Sequence, residues 1–324
     1  MTVMTFRRAI TQALADELAA DQDVFLIGED VGAAGGVFKT TEGLFQRFGP
    51  MRVRDTPISE QAIVGAAIGA AIQGLRPVAE IMFADFAGVC FDQIANEMAK
   101  YRYMTGGQVT LPVTLRLANG AAGGFAAQHS QSVENWLLNV PGLKLVAPAT
   151  PADAYGLLRA AVRDPDPVLY FEHKALLNLK GEVAADGEFA LGESIVVKSG
   201  DDVTVVASQA MLHRSLEAAH MLEDSGISVE VVDPRTLVPL DLATVVASIE
   251  RTNRLVIVQE SSHSGSWGAS LVSSVVLSHM EYLDAPPQVV GGDETPIPYA
   301  EVLENAWIPS VDRIAAAIRA TVAF

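Results

Sequence analysis

The chain has 324 residues, half of them apolar, and a formal net charge of −17 at pH 7. This length predicts about two globular domains, because a single core stops growing at about 250–300 residues. The acidic charge argues against a nucleic-acid partner, since binding to phosphates is driven by Lys and Arg. An acidic surface suits a basic protein partner instead.

Cys90 is the only cysteine, so the chain cannot form an internal disulfide, which fits a reducing compartment. The N-terminal stretch MTVMTFRRAITQAL lacks the long apolar segment of a signal peptide and is typical of a helix. We therefore predict a cytoplasmic protein with no membrane partner. An organellar protein whose transit peptide has been removed is the open alternative.

The predicted elements alternate between helices and short buried strands. Helices are predicted from the Thr5 cap to about residue 20 and at 60–74, 88–103, 151–162, 211–225, 241–251 and 268–279. Strands are predicted at 24–28, 76–83, 111–117, 143–147, 168–172, 203–208, 228–232 and 255–259. This alternation implies parallel sheets covered on both faces, and the irregular stretch 173–200 is predicted to link two α/β domains.

The stretch DTPISEQ, residues 55–61, leads from an extended segment into the predicted helix that begins at Glu60. Pro57 fixes its own φ and pushes the preceding residue toward an extended conformation. Ser59 is predicted to cap the helix with its side-chain oxygen. Glu60 can be explained as an acid that complements the helix dipole, or as a secluded carboxylate at a functional site.

The helix 60–74 contains no charged residue after Glu60, so we expect it to be buried on every side. Gly65 and Gly69 lie one turn apart and permit another backbone to approach closely. The apolar run is too short to span a membrane.

Three residues of the first predicted domain could meet at one edge of a parallel sheet. Glu60 starts a helix, Phe86 follows a strand, and His129 lies in the glycine-rich segment 119–132. A carboxylate, an aromatic ring and an imidazole suit an organic cofactor. Core packing for Phe86 and a backbone hydrogen bond for His129 are the plainer alternatives.

Other common sites are not indicated by the sequence. The remaining histidines do not have metal-ligand spacing, and no Gly-Xaa-Ser-Xaa-Gly hydrolase motif is present. The glycine-rich segment 28–44 matches neither the dinucleotide nor the P-loop fingerprint, so it is predicted to be a ligand-lining loop or a plain surface connection.

Eight sequence blocks in order carry a resemblance that runs nearly from end to end. They are GEDVG with GGVFKTTEGL, RVRDTPISEQAIVGAAIGAA, GLRPVAEIMFADF, FDQIANEMAKYRYMTGG, AAQHSQ, VPGLKLVAPATP, RDPDPVLYFEHKAL and VDPRTLVPLD. In these eight blocks, the chain resembles the beta subunit of the thiamine-diphosphate-dependent decarboxylating component of 2-oxoacid dehydrogenase complexes. The resemblance implies an α/β fold of two doubly wound domains, with a pyrimidine-binding transketolase-like domain at 1–185 and a smaller C-terminal transketolase-like domain at 186–324.

The resemblance also assigns roles to individual residues. Glu60 is expected to hydrogen-bond the aminopyrimidine ring of thiamine diphosphate and to share a proton with it. Phe86 is expected to lie against that ring, with Ile58 and Met82 in the same pocket. His129 is expected in the channel where an acyl group passes to lipoyl, so Glu60 and His129 are the predicted catalytic residues.

The chain lacks a Gly-Asp-Gly motif followed by an Asn-Asn pair, with which this superfamily binds magnesium and diphosphate. The resemblance therefore implies an alpha subunit that supplies this half of the site in an α2β2 heterotetramer. A lipoyl acyltransferase core is the second implied partner. A structural potassium ion is also implied, held mainly by backbone carbonyls of Val113, Ala161, Val162, Asp164 and Asp166.

Asn139 departs from the pattern, because relatives usually carry His at this position and an amide does not titrate near neutral pH. The blocks MFADFAGVCFDQI and YFEHKALLNLKGEV favour pyruvate or acetoin as substrate over branched-chain 2-oxoacids. Two other functions remain open alternatives: a docking subunit with a vestigial site, and a flavodoxin-like nucleotide-binding protein, against which the absence of a phosphate fingerprint argues.

Overall fold

A computed structural model describes residues 1–121, 123–184, 187 and 189–324 of the chain. Its strands are β1 (Thr2–Thr5), β2 (Val24–Gly28), β3 (Val53–Asp55), β4 (Arg76–Ile81), β5 (Thr114–Asn119), β6 (Lys144–Val146), β7 (Val168–His173), β8 (Lys180–Val183), β9 (Ile195–Lys198), β10 (Val203–Ala207), β11 (Val229–Asp233), β12 (Thr236–Val238), β13 (Leu255–Ser262) and β14 (Gln288–Gly292). Its α-helices are α1 (Phe6–Ala20), α2 (Leu44–Phe48), α3 (Glu60–Ile72), α4 (Tyr101–Met104), α5 (Pro151–Arg163), α6 (Ala210–Glu223), α7 (Leu242–Thr252), α8 (Trp267–His279), α9 (Glu301–Trp307) and α10 (Val311–Val322).

The chain divides into two compact units. The first contains Met1–Asn119 and Trp136–Leu191, and the second contains Gly120–Asn135 and Gly192–Phe324. The second unit thus includes a loop that follows β5 of the first. The domain limit predicted between residues 185 and 186 lies outside the described residues.

Within the first unit, neighbouring strands run in the order β6, β7, β5, β4, β2, β3, and every one of these pairs is parallel. The parallel sheet predicted from the alternation of helices and strands is therefore confirmed. Each residue of β5 and β7 is buried, as expected for central strands of a covered parallel sheet.

The second unit has a five-stranded sheet in the order β14, β13, β10, β11, β9. The pairs among β14, β13, β10 and β11 are parallel, whereas β9 is an antiparallel edge strand. The stretch 173–200 was predicted to be irregular, but its described residues include β8 and β9. Strand β8 pairs with β1 in antiparallel orientation. The helices α9 and α10 were not among the predicted elements.

Helix α3 begins at Glu60 as predicted, but two other expectations for it are wrong. Ser59 occupies the N-cap position without making a side-chain cap hydrogen bond. Only one face of the helix is buried, because α3 packs on β4 and on the turn of π-helix at Gln93–Met98. The opposite face is exposed and uncharged, and we call it the α3 outer face: Gln61, Ala62, Gly65, Ala66 and Gly69.

The helix predicted after Phe86 is interrupted. A 3-10 turn spans Ala84–Gly88, a π-helix spans Gln93–Met98, and α4 adds one short turn. Such π-helical turns frequently occur at functional sites. Throughout the described ranges, no helix has the length and apolar character needed to cross a membrane.

Candidate active site

The carboxyl ends of three adjacent parallel strands carry the candidate residues of the first unit. In the sheet, Gly28 at the end of β2 is aligned with Asp55 at the end of β3 and with Glu80 near the end of β4. The residues that follow these strands therefore leave the sheet at the same edge, which is where α/β sheets bind ligands. Glu29 follows β2, Glu60 follows β3, and Met82 and Phe86 follow β4.

Glu60 is secluded, with a relative exposure of 8%. As the first residue of α3 it lies at the positive end of the helix dipole, which favours a carboxylate. Its side chain makes no hydrogen bond or ion pair with the described part of the chain. A carboxylate in such surroundings can accept or share a proton with a ligand that enters the site.

The apolar candidates lie around the same strand end. The Phe86 ring is half-buried and packs edge-on against Phe83, with 5.9 Å between ring centroids. Phe83 in turn packs edge-on against Phe38 of the first glycine-rich loop. Met82 is half-buried, whereas Ile58 is 82% exposed. This chain therefore places the rings of Phe38, Phe83 and Phe86 next to one another and leaves the side chain of Ile58 exposed.

Burial and the charge of Glu60 raise the pKa of two nearby groups, Glu29 and Cys90. Burial raises the pKa of Glu29, and the charges of Glu60, Asp30 and Glu80 raise it further. Burial also raises the pKa of the Cys90 thiol to about 12, with Glu60 as the second cause. The pKa values of Glu29 and Cys90 are thus both raised, with the charge of Glu60 as a contributing cause, and Glu29 was missed by the sequence analysis.

A buried arginine network lies in the same sheet. Arg116 in β5 is 1% exposed, and its guanidinium contacts Glu80 on β4 and Glu172 on β7. Its Nη2 also donates to Thr40 Oγ1 in the glycine-rich loop at 2.9 Å. The two carboxylates outweigh the effect of burial and raise the pKa of Arg116, so it stays charged. The sequence signal was an arginine within an otherwise buried strand.

The first glycine-rich segment is fixed by its own hydrogen bonds. Gly32 N donates to Asp55 Oδ1 at 2.6 Å, and Thr41 Oγ1 donates to the carbonyl of Val31 at 2.8 Å. A side chain at Gly32 would meet the Asp55 carboxylate at 2.4 Å. The segment is therefore held next to the sheet edge that carries Glu60.

His129 lies in the other compact unit, within Gly120–Asn135. The side chain of His129 is half-buried, and the backbone N–H of His129 donates to the carbonyl of Ala126 at 3.4 Å. The structure thus brings Glu60, Met82 and Phe86 to one edge of the first unit and assigns His129 to the second. Asn139 is exposed and follows the 3-10 turn at Glu134–Leu137.

Of the residues predicted to bind potassium, Ala161 and Val162 lie at the end of α5, Asp164 and Asp166 follow it, and Val113 directly precedes β5. The carbonyl of Val162 accepts from Arg76 Nη1 at 3.0 Å. Lys144 Nζ contacts the Asp164 carboxylate at 2.6 and 2.7 Å and lies 3.6 Å from Asp166. The donors are of the type that potassium requires, but they already face three cationic side chains: Arg76, Lys144 and Arg102.

Comparison with known proteins identifies the class of fold. Residues 2–180 match the domain family "Transketolase, pyrimidine binding domain", and residues 192–314 match "Transketolase, C-terminal domain". Among solved structures, the chain is similar to "Split gene transketolase, inactive beta4 tetramer", with a TM-score of 0.82 and 25% sequence identity over 99% of this chain and 98% of that one. The chain is thus a two-domain transketolase-like protein.

Curated relatives narrow the class. The beta-2 subunit of the mitochondrial pyruvate dehydrogenase E1 component of Oryza sativa subsp. japonica is 45% identical over 98% of this chain and 85% of its own. The beta subunit of acetoin:2,6-dichlorophenolindophenol oxidoreductase of Cupriavidus necator is 46% identical over 98% of this chain and 97% of its own. The beta subunit of 2-oxoisovalerate dehydrogenase of Bacillus subtilis is 45% identical over 98% of each chain.

The chain belongs to the family of beta subunits of 2-oxoacid and acetoin dehydrogenases. The resemblance inferred from the eight sequence blocks is therefore confirmed, as is the predicted transketolase-like fold.

Proposed function

We propose that this chain is the beta subunit of a thiamine-diphosphate-dependent pyruvate or acetoin dehydrogenase. With an alpha subunit, it would convert its substrate to an acyl group that passes to lipoyl on an acyltransferase core. The observation that carries this proposal is Glu60, a secluded carboxylate that has no hydrogen-bond or ion-pair partner among the described residues, at the sheet edge that also carries Phe86.

Thiamine diphosphate, when bound, supplies the nucleophilic carbon that attacks the substrate carbonyl. Glu60 would hold a proton at a nitrogen of the pyrimidine ring, a role that suits a secluded carboxyl group. The half-buried Phe86 ring and Met82 would pack against the pyrimidine, and Ile58 would complete the pocket once a partner covers it.

The diphosphate and magnesium would be held by the alpha subunit, because the sequence has no diphosphate-binding motif. The α3 outer face supports a partner of this kind. An exposed helix face without any charge is unusual for a surface that remains in water. We infer that it is covered in an α2β2 heterotetramer.

His129 would act in the transfer of the acyl group to lipoyl, where an imidazole can donate or accept a proton near neutral pH. The acidic charge of the chain suits docking on a basic segment of the acyltransferase core. We further infer a cytoplasmic location.

The substrate is proposed to be pyruvate or acetoin. A branched-chain 2-oxoacid is the second candidate, because the 2-oxoisovalerate dehydrogenase relative is as similar to this chain as the pyruvate dehydrogenase relative. Overall sequence identity therefore does not discriminate between these substrates. Measured turnover of each substrate is needed to distinguish them.

Potassium at the end of α5 is part of the proposal, with the ion held by the carbonyl oxygens named above. The test compares thermal unfolding of the reconstituted enzyme in potassium, sodium and choline chloride at equal ionic strength. A higher midpoint in potassium alone supports the site, whereas equal midpoints contradict it.

The central experiment reconstitutes the chain with its alpha partner, thiamine diphosphate and magnesium, and measures turnover of pyruvate, acetoin and 2-oxoisovalerate side by side. Glu60→Ala is expected to abolish turnover of the preferred substrate without preventing assembly. Glu97→Ala, at an exposed position, is the matched control. Full activity of Glu60→Ala would falsify the role given to Glu60.

A further inference from the structure

Two buried glutamates of the second unit hold the loop at Gly120–Asn135, which carries His129. The first is Glu304 in α9, which is 2% exposed. Its Oε2 accepts hydrogen bonds from the N–H groups of Gly123 and Gly124 at 3.2 and 3.0 Å. A carboxylate that accepts from two successive amides makes charge-assisted bonds, which are stronger than bonds between neutral groups.

The second glutamate is Glu260 in β13, which is 7% exposed. Its Oε1 accepts from Ala121 N at 2.7 Å and from Ser132 Oγ at 3.1 Å. One carboxylate oxygen thereby joins the beginning and the end of the loop. The bond from Gly120 N to the carbonyl of Gln131 at 3.2 Å closes the loop at the same point.

A third anchor fixes the end of the loop. Asn135 Nδ2 donates to Ser261 Oγ at 2.8 Å, and Asn135 Oδ1 accepts from Trp267 N at 2.9 Å. Trp267 is the first residue of α8, so its N–H is one of the amides that a helix cannot satisfy internally. The loop therefore has bonds to β13, α8 and α9 of its own unit.

The backbone of the loop needs such anchors. Gly120, Gly123, Gly124 and Ala126 have φ values of +80°, +88°, +85° and +61°. The left-handed conformation is unfavourable for alanine, and glycines lose more backbone freedom on ordering than other residues. The loop would sample many conformations if the anchors were removed.

We propose that Glu260 and Glu304 are positioning residues, which hold the loop so that His129 is presented in one fixed place. The inference rests on the proposed role of His129 in acyl transfer. Neither glutamate needs to touch the substrate or the cofactor. Each acts through the loop backbone, so its loss is expected to slow the step that depends on His129 and to spare the steps that depend on Glu60.

The test uses the reconstituted α2β2 enzyme with Glu304→Leu and, separately, Glu260→Leu. Turnover is measured with lipoyl domain and with 2,6-dichlorophenolindophenol, an artificial acceptor that bypasses lipoyl. With lipoyl, kcat is expected to fall roughly 10- to 100-fold, the effect of a misplacement of about 1 Å. With the dye, kcat and the KM for the 2-oxoacid or acetoin are expected to stay unchanged.

Amide hydrogen exchange gives the second readout, which does not depend on activity. Exchange at Gly123 and Gly124 is expected to accelerate in Glu304→Leu, and exchange at Ala121 is expected to accelerate in Glu260→Leu. Unchanged exchange at these amides would overturn the proposal. An equal loss of kcat with both acceptors would also overturn it, because that pattern indicates a general structural defect.

Matched variants keep the test decisive. Glu301→Leu alters an exposed glutamate of the same helix and is expected to change neither readout. If Glu304→Leu does not assemble, the isosteric Glu304→Gln replaces it, with a smaller acceleration of exchange at Gly123 and Gly124, because a neutral amide oxygen accepts less strongly.

His129→Ala separates this inference from the proposed function. It is expected to lower lipoyl-dependent kcat selectively while leaving loop exchange unchanged. Full lipoyl-dependent activity of His129→Ala would refute the proposed role of His129 and, with it, the functional half of the inference. The exchange experiment would still decide whether the two glutamates hold the loop.

Discussion

Arg116 on β5 donates two hydrogen bonds to the carboxylate of Glu172 on the adjacent strand β7, from Nε at 2.5 Å and from Nη2 at 2.9 Å. Both side chains are buried, and Nη1 of the same guanidinium donates to Glu80 at 2.5 Å. One cation thus joins three neighbouring strands beneath the edge that carries Glu60.

Replacing Arg116 by Met is expected to lower the free energy of unfolding by about 3–5 kcal/mol, because two carboxylates lose their shared buried cation. Denaturant unfolding of the purified chain measures the change. Arg102→Met is the control, since Arg102 forms a largely exposed pair with Asp166, and about 1 kcal/mol or less is expected there. Similar losses for the two variants would contradict the assignment of Arg116 as the central structural cation.

Cys90 provides a test that depends on pH. Its thiol is fully buried, so a thiol reagent at pH 8 is expected to react only after denaturant is added. The pKa is raised from 9.0 to about 12 in the folded chain, so the neutral thiol is favoured there. The resulting stability is present below pH 9 and is lost as the pH rises from 9 toward 12.

The stability of the chain relative to Cys90→Ala is therefore expected to be about 1 kcal/mol lower at pH 10 than at pH 8. Denaturant unfolding of both proteins at the two pH values gives this difference directly. A difference that does not change with pH, or rapid modification of the folded chain, would show that the thiol is accessible and titrates normally.

The α3 outer face predicts a variant that separates folding from assembly. Outside the backbone of α3 itself, no described atom lies within 4 Å of a Cβ built at Gly69, so Gly69→Glu is expected to leave the isolated chain as stable as before or slightly more stable. Assembly with the alpha subunit is expected to fail, because a charge would be buried in the interface.

Size-exclusion chromatography with light scattering measures the assembly, and thermal unfolding of the isolated chain measures folding. Ser273→Glu, at an exposed position of α8, is the control and is expected to assemble normally. A Gly69→Glu chain that forms the full heterotetramer would remove the α3 outer face from the proposed interface.

The isolated chain is expected neither to turn over substrate nor to bind thiamine diphosphate tightly. The diphosphate carries most of the charge by which such a cofactor is held, and this sequence lacks the motif that binds it. Isothermal titration of the purified chain, before and after the alpha subunit is added, tests this expectation. Tight binding without the alpha subunit would show that a complete site exists in one chain.

The alternation of strands and helices and the start of α3 at Glu60 were predictable from the sequence, because hydrophobic runs and the Thr-Pro-Ile-Ser-Glu turn are local signals. The exposure of the α3 outer face was not predictable from the sequence. A helix without charges appears buried on every side in the sequence, whereas the structure leaves Gly65 and Gly69 exposed because only one face meets the sheet. When another chain covers a helix face, the amino-acid composition of that helix reflects its burial in the assembly and not its burial in the isolated chain.

The contacts of Arg116 and of the His129 loop could not be predicted for a different reason. Arg116 meets Glu172 across 56 positions, and Gly124 meets Glu304 across 180 positions. No short pattern connects residues so far apart in the chain. An arginine in a buried strand and a buried glutamate in a helix signal that partners exist, but only the fold identifies them.

The bonds between the His129 loop and Glu304 have a consequence for biosynthesis. On a ribosome, the first unit could finish its sheet long before residue 304 is made, yet the loop that leaves β5 would have no anchor in α9 until then. The newly made chain would therefore carry a folded first sheet and a loop that is not yet anchored, until α9 is made. Synthesis of α9 would be the step that completes the anchoring of the His129 loop.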